Sequence, residues 1–146
     1  MAKLSKKHVR KNLIKQLDCI FSQYIRLRYT KNEIAECVTC GKKDHWKKLQ
    51  AGHFMSRSNY ATRWDENNVQ VQCVGCNVYH SGEQYKFSLY LGNKLSEELY
   101  LKSKQIVKFA DVELIDMIDY YKQQVNILLK FSYIFKLFLL KRGCFN

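Results

Sequence analysis

Proline is absent from this sequence of 146 residues, and acidic residues are scarce. Only 13 Asp+Glu stand against 25 Lys+Arg, which gives a formal net charge of +12. Because Lys and Arg side chains that contact phosphates release condensed counterions, this excess favours a polyanionic partner. A basic surface that is solvated and has no partner is the alternative. Repeats and disordered tracts are also lacking, which argues for an ordinary folded chain.

Long hydrophobic runs are missing as well. The basic N-terminus is followed by no unbroken apolar segment, which argues against a secretory signal. The apolar stretch 127–140 contains Lys130 and Lys136, and about 14 residues are too few to span a bilayer. We therefore expect a cytoplasmic protein without a membrane span, whose thiols stay reduced. In that setting, closely spaced cysteines indicate metal binding rather than disulfides.

The length and a hydrophobic content of 47% suit one domain, 1–146. Within it we predict a basic N-terminal helix in 1–30, a core in 37–90 and C-terminal helices in 95–146. The first helix should span about 6–29, because apolar residues recur there at helical spacing. The first 15 residues hold six Lys/Arg and no acid. This outer end suits phosphate contacts, and a merely solvated helix face explains it equally well.

The C-terminal part of the chain predicts two more helices. Ser96 should cap a short helix to about Val107, and Asp111 a long helix toward Leu140. Core packing or a dimer interface would use the apolar face of the long helix, and binding to a lipid surface is the other possibility. At 100° per residue, a basic stripe would lie on one side of it. That stripe consists of Lys122, Asn126, Lys130, Lys136 and Lys141.

Two matched C-x2-C pairs are the strongest motif in the chain. They are Cys37 with Cys40 and Cys73 with Cys76. Four thiolates satisfy Zn²⁺ in a tetrahedral site, and each short turn directs two sulfurs the same way. A thioredoxin-like redox motif would need one such pair in a βαβ setting, and the presence of two argues against it. We therefore predict one structural Zn²⁺ site with four cysteine ligands.

Between the pairs, the sequence predicts two short strands in 48–54 and 68–72, joined by a long polar loop in 55–67. The second strand alternates apolar and polar residues, which is typical of a half-buried strand. From about Cys76 to Tyr90 the chain looks helical. The predicted fold class is therefore α+β, with a small zinc-stapled ββα unit flanked by N- and C-terminal helices.

This unit resembles the ββα-metal, or HNH-like, nuclease core. The resemblance implies that His53 is the general base, that Asn68 orients the attacking water or His53, and that Asn77 binds one catalytic Mg²⁺ or Mn²⁺. The implied chemistry is physically reasonable. A neutral imidazole can accept a proton from water near pH 7, and a hard cation bound by an amide oxygen can stabilise charge at a phosphate. Alternatively, His53 is a packed strand histidine, Asn68 a turn residue and Asn77 a helix cap.

A narrower resemblance depends on several short motifs taken together. They are Tyr24-Ile25-Arg26-Leu27-Arg28, Cys37-Val38-Thr39-Cys40-Gly41, Ala51-Gly52-His53-Phe54, Arg63-Trp64-Asp65-Glu66-Asn67-Asn68, Gln72-Cys73, Cys76-Asn77 and Ser81-Gly82. In this combination the chain resembles the NinG (Rap) family of phage recombination proteins over about residues 20 to 125. The resemblance implies an endonuclease that acts on branched DNA such as Holliday junctions and D-loops, in the cytoplasm of a bacterial host. The order of motifs is also similar to phage junction resolvases of the endonuclease VII type, which cut as dimers, so a homodimer is possible.

The chain departs from the nuclease pattern at Gly52, where many ββα nucleases carry an acidic metal ligand. The nearby acids Asp65, Glu66 and Glu83 are candidate replacements. Three further side chains could take part in catalysis or contact the phosphate, or could be ordinary surface residues. These are His80, Arg57 and Arg63.

Two other functions fit the same residues. One is a non-catalytic zinc module that binds nucleic acid through its basic surface. The other is a sequence-specific HNH endonuclease, which would cut linear duplex DNA at a defined site.

Overall fold

The computed structural model describes residues 6–142, with side chains described as far as residue 131. The helices are α1 (Lys6–Leu27), α2 (Tyr60–Arg63), α3 (Gln84–Leu91), α4 (Asn93–Ser103) and α5 (Asp111–Arg142). The strands are β1 (Ile34–Glu36), β2 (Lys43–His45), β3 (Gln50–His53) and β4 (Val69–Gln72). A 3-10 turn at Trp46–Lys48 and a π-helical turn at Gly75–Tyr79 complete the order. The fold class is mixed α+β, as predicted.

Helices α1 and α5 pack against each other and enclose the core. Leu17, Phe21 and Ile25 recur at i, i+4, i+8 on α1 and are almost fully buried. They belong to one apolar cluster with Leu114 and Ile118 of α5. Each such side chain contributes about 1.5–3 kcal/mol by leaving water. The predicted amphipathic character of α1 is confirmed, and the shared core places α1 beside Cys37, Cys73 and Cys76.

Two antiparallel hairpins form the sheet structure. Strands β3 and β4 pair in the register that sets Gln50 opposite Gln72 and His53 opposite Val69. This hairpin was predicted. The second hairpin, β1 with β2, pairs Ile34 with His45 and was not predicted. Its strands have three residues each, which is too short to show an alternating pattern in sequence.

Strand β4 differs from the half-buried strand that alternation predicts, because all four of its residues are buried. The polar members find partners inside the protein. Gln70 accepts a hydrogen bond from Arg28 at 2.9 Å, and Gln72 donates to the Gly82 carbonyl at 2.8 Å. Hydrogen bonds within the protein therefore replace the bonds to water that the polar residues of a half-buried strand would make.

The helix predicted from Cys76 to Tyr90 is broken in the structure. The π-helical turn ends at Tyr79 and α3 starts only at Gln84. Between them the backbone takes positive φ at Ser81, Gly82 and Glu83, with 87° at Gly82. A left-handed backbone cannot continue a right-handed helix.

Other boundaries also shift. The predicted loop 55–67 contains the short helix α2, and α4 starts at Asn93 rather than after Ser96. The Ser96 hydroxyl instead donates to the Ser88 carbonyl at 3.3 Å. The long helix α5 is confirmed from Asp111, whereas the predicted basic stripe on it extends to side chains outside the described residues. Over the described part of the chain, no helix has the length and apolar character needed to cross a membrane.

Candidate functional site

The four cysteines of the two C-x2-C pairs converge on one point. Their sulfur atoms all lie within 4.8 Å of one another, and Cys40 Sγ is 3.7 Å from Cys73 Sγ. Zn–S bonds of about 2.3 Å in a tetrahedron place sulfurs roughly 3.8 Å apart. The spacing and the soft donor set therefore fit a metal ion such as zinc.

Tight backbone turns aim these sulfurs. Gly41 takes a positive φ of 72° and donates its N–H to the Cys37 carbonyl at 2.8 Å. In the second pair, the Cys76 N–H points at Cys73 Sγ over 3.4 Å. Burial raises the pKa of the Cys37 thiol, but hydrogen bonds from Thr39 and nearby backbone outweigh it, and the net pKa is lowered. Burial raises the pKa of Cys76. Metal binding therefore releases at least the Cys76 proton near neutral pH.

A cleft of about 350 Å³ lies beside the cysteine cluster, and it contains both His53 and Asn77. His53 ends strand β3, and Asn77 lies in the π-helical turn directly after Cys76. The hairpin and the metal-binding turn thus bring together two residues that are 24 positions apart in sequence. The remaining lining residues are Asp18, Phe21, Ser22, Ala51, Arg57, Ser81, Gly82 and Gln84.

A backbone acceptor fixes the tautomer of His53. Its Nε2 atom lies 3.0 Å from the Arg63 carbonyl oxygen. Because a carbonyl can only accept, Nε2 must carry the proton and Nδ1 keeps a free lone pair. Burial lowers the pKa of His53, and the charges of Arg57 and Arg63 lower it further against opposition from the Arg63 carbonyl and Asp18. At neutral pH the ring is therefore uncharged and able to accept a proton.

Asn77 is also held in one orientation. Its side-chain amide donates to Gln50 Oε1 at 2.7 Å. Among the described residues, no donor reaches the Asn77 amide oxygen, and the atom is not buried. An open amide oxygen in a cleft is a suitable ligand for a hard cation. Gln50 was not recognised in the sequence, since its role depends on the β3–Asn77 contact.

Asn68 makes no hydrogen bond to His53 and does not line the cleft. The side chain is fully buried and joins the two ends of the loop between β3 and β4. Its oxygen accepts from the Met55 N–H at 2.6 Å, and its nitrogen donates to the Met55 and Thr62 carbonyls at 3.0 and 2.9 Å. The predicted role of orienting the attacking water needs contact with the cleft, which this burial prevents. Asn68 instead stabilises the loop whose Arg63 carbonyl holds His53.

Arg63 has its side chain committed within the protein. Two nitrogens donate to the Asp18 carboxylate at 3.0 and 2.6 Å, and a third donates to the Arg57 carbonyl at 2.8 Å. The two hydrogen bonds to Asp18 attach the loop to α1. They occupy the guanidinium N–H groups that would otherwise bind a phosphate. Arg57 lines the cleft, is exposed, and makes no hydrogen bond through its guanidinium to any described residue. Of the two arginines, only Arg57 is placed for a phosphate.

Gly52 leaves no room for an acidic side chain. A Cβ atom there would lie 1.9 Å from Gln72 Oε1, and Gln72 is fully buried. Asp18, from α1, is the one acidic residue lining the cleft within the described part of the chain. Sequence reasoning did not select Asp18. It is the only acidic residue among residues 1–30, and that fact could have marked it as a candidate site residue.

The other acidic candidates and His80 lie outside the cleft lining. Asp65 pairs with Lys102 at 2.5 Å. Glu66 accepts hydrogen bonds from Tyr24 at 2.9 Å and Tyr121 at 3.3 Å. Glu83 lies 3.0 Å from Lys86 and 3.8 Å from the mostly exposed His80. Each of these acidic residues is therefore paired with a basic or hydroxyl side chain outside the cleft.

Comparison with known proteins identifies the family. A family model described as bacteriophage lambda NinG protein matches residues 1–130. Curated proteins named protein ninG, from Escherichia phage 933W and Enterobacteria phage VT2-Sa, are 31% identical over 88 residues. The match covers 58% of this chain and 41% of each relative, so the aligned part spans about two fifths of their length. No solved structure shows a significant match. Because the family model covers most of the sequence, the chain belongs to the NinG family of phage proteins.

Proposed function

We propose that this protein is a metal-dependent endonuclease that hydrolyses phosphodiester bonds in branched DNA formed during recombination. The observation that carries the proposal is that His53 and Asn77 share one cleft beside a four-cysteine site. Support for the substrate comes from the NinG family resemblance and from the net charge of +12. The four cysteines would hold a structural zinc ion rather than take part in catalysis.

In this proposal, His53 Nδ1 removes a proton from water, and the resulting hydroxide attacks phosphorus. The bond from phosphorus to the leaving sugar oxygen breaks, and that oxygen gains a proton from solvent. A bound Mg²⁺ or Mn²⁺ would supply positive charge to the phosphate and leaving oxygen. The Asn77 amide oxygen is a donor of the kind these ions bind, whereas both Asp18 carboxylate oxygens already accept hydrogen bonds from Arg63. Arg57 would contact the scissile phosphate.

The decisive experiment is cleavage of four matched DNA substrates by the wild type and by His53→Ala, with Mg²⁺ or Mn²⁺. The substrates are a four-way junction, a flap, a D-loop and a linear duplex. We expect the wild type to cut branched DNA in preference to the linear duplex. His53→Ala should lose about 10²–10⁴-fold in rate, the usual contribution of general-base catalysis, while still binding DNA. His80→Ala is the matched control, since His80 does not line the cleft, and should retain activity.

Other outcomes would identify the competing functions. A wild type that binds DNA but cuts none of the substrates with either metal would indicate the non-catalytic zinc module. Cutting of linear duplex at a defined sequence, without preference for junctions, would indicate a sequence-specific HNH endonuclease. Equal cleavage by wild type and His53→Ala would remove His53 from the mechanism.

A further inference from the structure

Helix α1 carries a row of lysines along one face, next to the side that bears its buried residues Leu17 and Phe21. Lys7, Lys11 and Lys15 follow one another at intervals of four and are exposed. At 100° per residue, they lie with Asp18 and Ser22 inside an arc of about 80°. Asp18 and Ser22 line the candidate catalytic cleft. The three lysines, which we name the lysine track, therefore share a face of α1 with the wall of the cleft.

The charge of the lysine track is not neutralised within the described protein. None of the ion pairs formed by described residues includes these three lysines. The nearest acid on the same face is Asp18, whose carboxylate is occupied by Arg63 at 2.6 Å. Arg57, also uncommitted, extends positive charge into the cleft. A row of unpaired lysines on the helix face that leads to a cleft is complementary to a nucleic-acid backbone.

We infer that the lysine track binds the phosphate backbone of one duplex DNA arm and leads that arm into the cleft. This inference rests on the proposed function for the identity of the cleft. Lys7 and Asp18 are separated by 11 positions, or about 16 Å along a helix. That distance equals about 5 base pairs of duplex at 3.4 Å each. The chain should therefore require a duplex arm of about this length on one side of the cleavage position.

The test measures DNA binding, so that it does not depend on cleavage. Wild type is compared with Lys7→Gln/Lys11→Gln/Lys15→Gln, using fluorescence anisotropy on a four-way junction at several salt concentrations without added Mg²⁺ or Mn²⁺. The control changes three exposed lysines elsewhere, Lys94→Gln/Lys108→Gln/Lys130→Gln, with the same loss of charge. Glutamine has a helix propensity close to that of lysine, and circular dichroism checks folding of both variants.

We expect the track variant to reduce the slope of log affinity against log salt by about 2–3, since each lost phosphate contact contributes about 0.9. The control variant should keep the wild-type slope. Shortening one junction arm below about 5 base pairs should weaken binding by the wild type and leave the track variant almost unaffected. Equal slopes for track and control variants, or insensitivity of the wild type to arm length, would overturn the inference. If binding follows this pattern but no substrate is cut, the proposed nuclease function fails while the DNA-binding surface stands.

Discussion

At the scale of single residues, the state of His53 follows from one backbone contact and its burial. The Arg63 carbonyl at 3.0 Å holds the Nε2 proton, and burial favours the neutral ring because charge is costly away from water. Nothing in the sequence around Gly52-His53-Phe54 reveals this contact, since Arg63 is ten positions away. The motif identifies the histidine, but the tautomer depends on the folded loop.

The pH behaviour of His53 is a direct prediction. Its pKa lies below the usual value of about 6.5, so on acidification it takes up its proton later than a free histidine does. The buried neutral ring therefore disfavours the native state once the pH falls below about 6.5, and any cleavage that uses His53 as base persists below that pH. The negative charge of Asp18 raises the pKa of His53 and so opposes the effect of burial. Asp18→Asn should therefore lower the pKa of His53 further.

This titration can be followed by NMR through the imidazole ring protons, with His53→Ala used to assign the signal. A His53 midpoint at or above about 6.5, the usual value for histidine, would contradict the prediction. Zinc content should be monitored at each pH, because acid also protonates the cysteine thiolates and so releases any bound metal.

At the scale of elements, the loop between β3 and β4 is organised by Asn68 and by Arg63. Asn68 closes the loop on itself, and Arg63 fastens it to Asp18 on α1. The sequence predicted both strands and the polar character of the loop. It could not show that the loop is ordered, because polar side chains that are satisfied by backbone look the same in sequence as solvated ones.

Replacing Asn68 tests this view of the loop. Asn68→Ala removes three hydrogen bonds and leaves the Met55 N–H and the Met55 carbonyl without these partners, whereas the Thr62 carbonyl keeps the Asp65 N–H at 3.2 Å. We expect a loss of about 2–4 kcal/mol in the free energy of unfolding, measured by denaturant titration. Asn67→Ala is the matched control, because Asn67 is exposed, and should change stability by less than about 0.5 kcal/mol. Similar stabilities for the two variants would exclude the structural role.

At the scale of the whole molecule, the cysteine cluster joins the two hairpins and the turn that carries Asn77. Three of its four cysteines belong to the same apolar cluster as Leu17 of α1 and Leu114 of α5. The cysteine cluster is therefore part of the core. The binding free energy of a metal held there should accordingly appear as folding free energy.

Removal of the metal should abolish cooperative unfolding of the domain. Cys73→Ser leaves three thiolate ligands, and we expect loss of bound zinc and of the near-ultraviolet circular dichroism that reports fixed aromatic packing. Cys19→Ser is the control, since Cys19 is exposed and outside the cluster, and it should keep one zinc per chain. A Cys73→Ser protein with unchanged zinc content and unfolding would contradict a four-cysteine site.

Local spacing along the chain encodes the α+β class, the cluster of four cysteines, helix α1 and the segments that bring His53 and Asn77 to the cleft. Contacts between distant parts of the chain place Asp18 in the cleft lining, fill the space beside Gly52 with Gln72, and let Asn68 and Arg63 support the loop. Each of these depends on contacts between residues far apart in sequence, and such contacts are fixed by how the helices and hairpins pack rather than by local pattern.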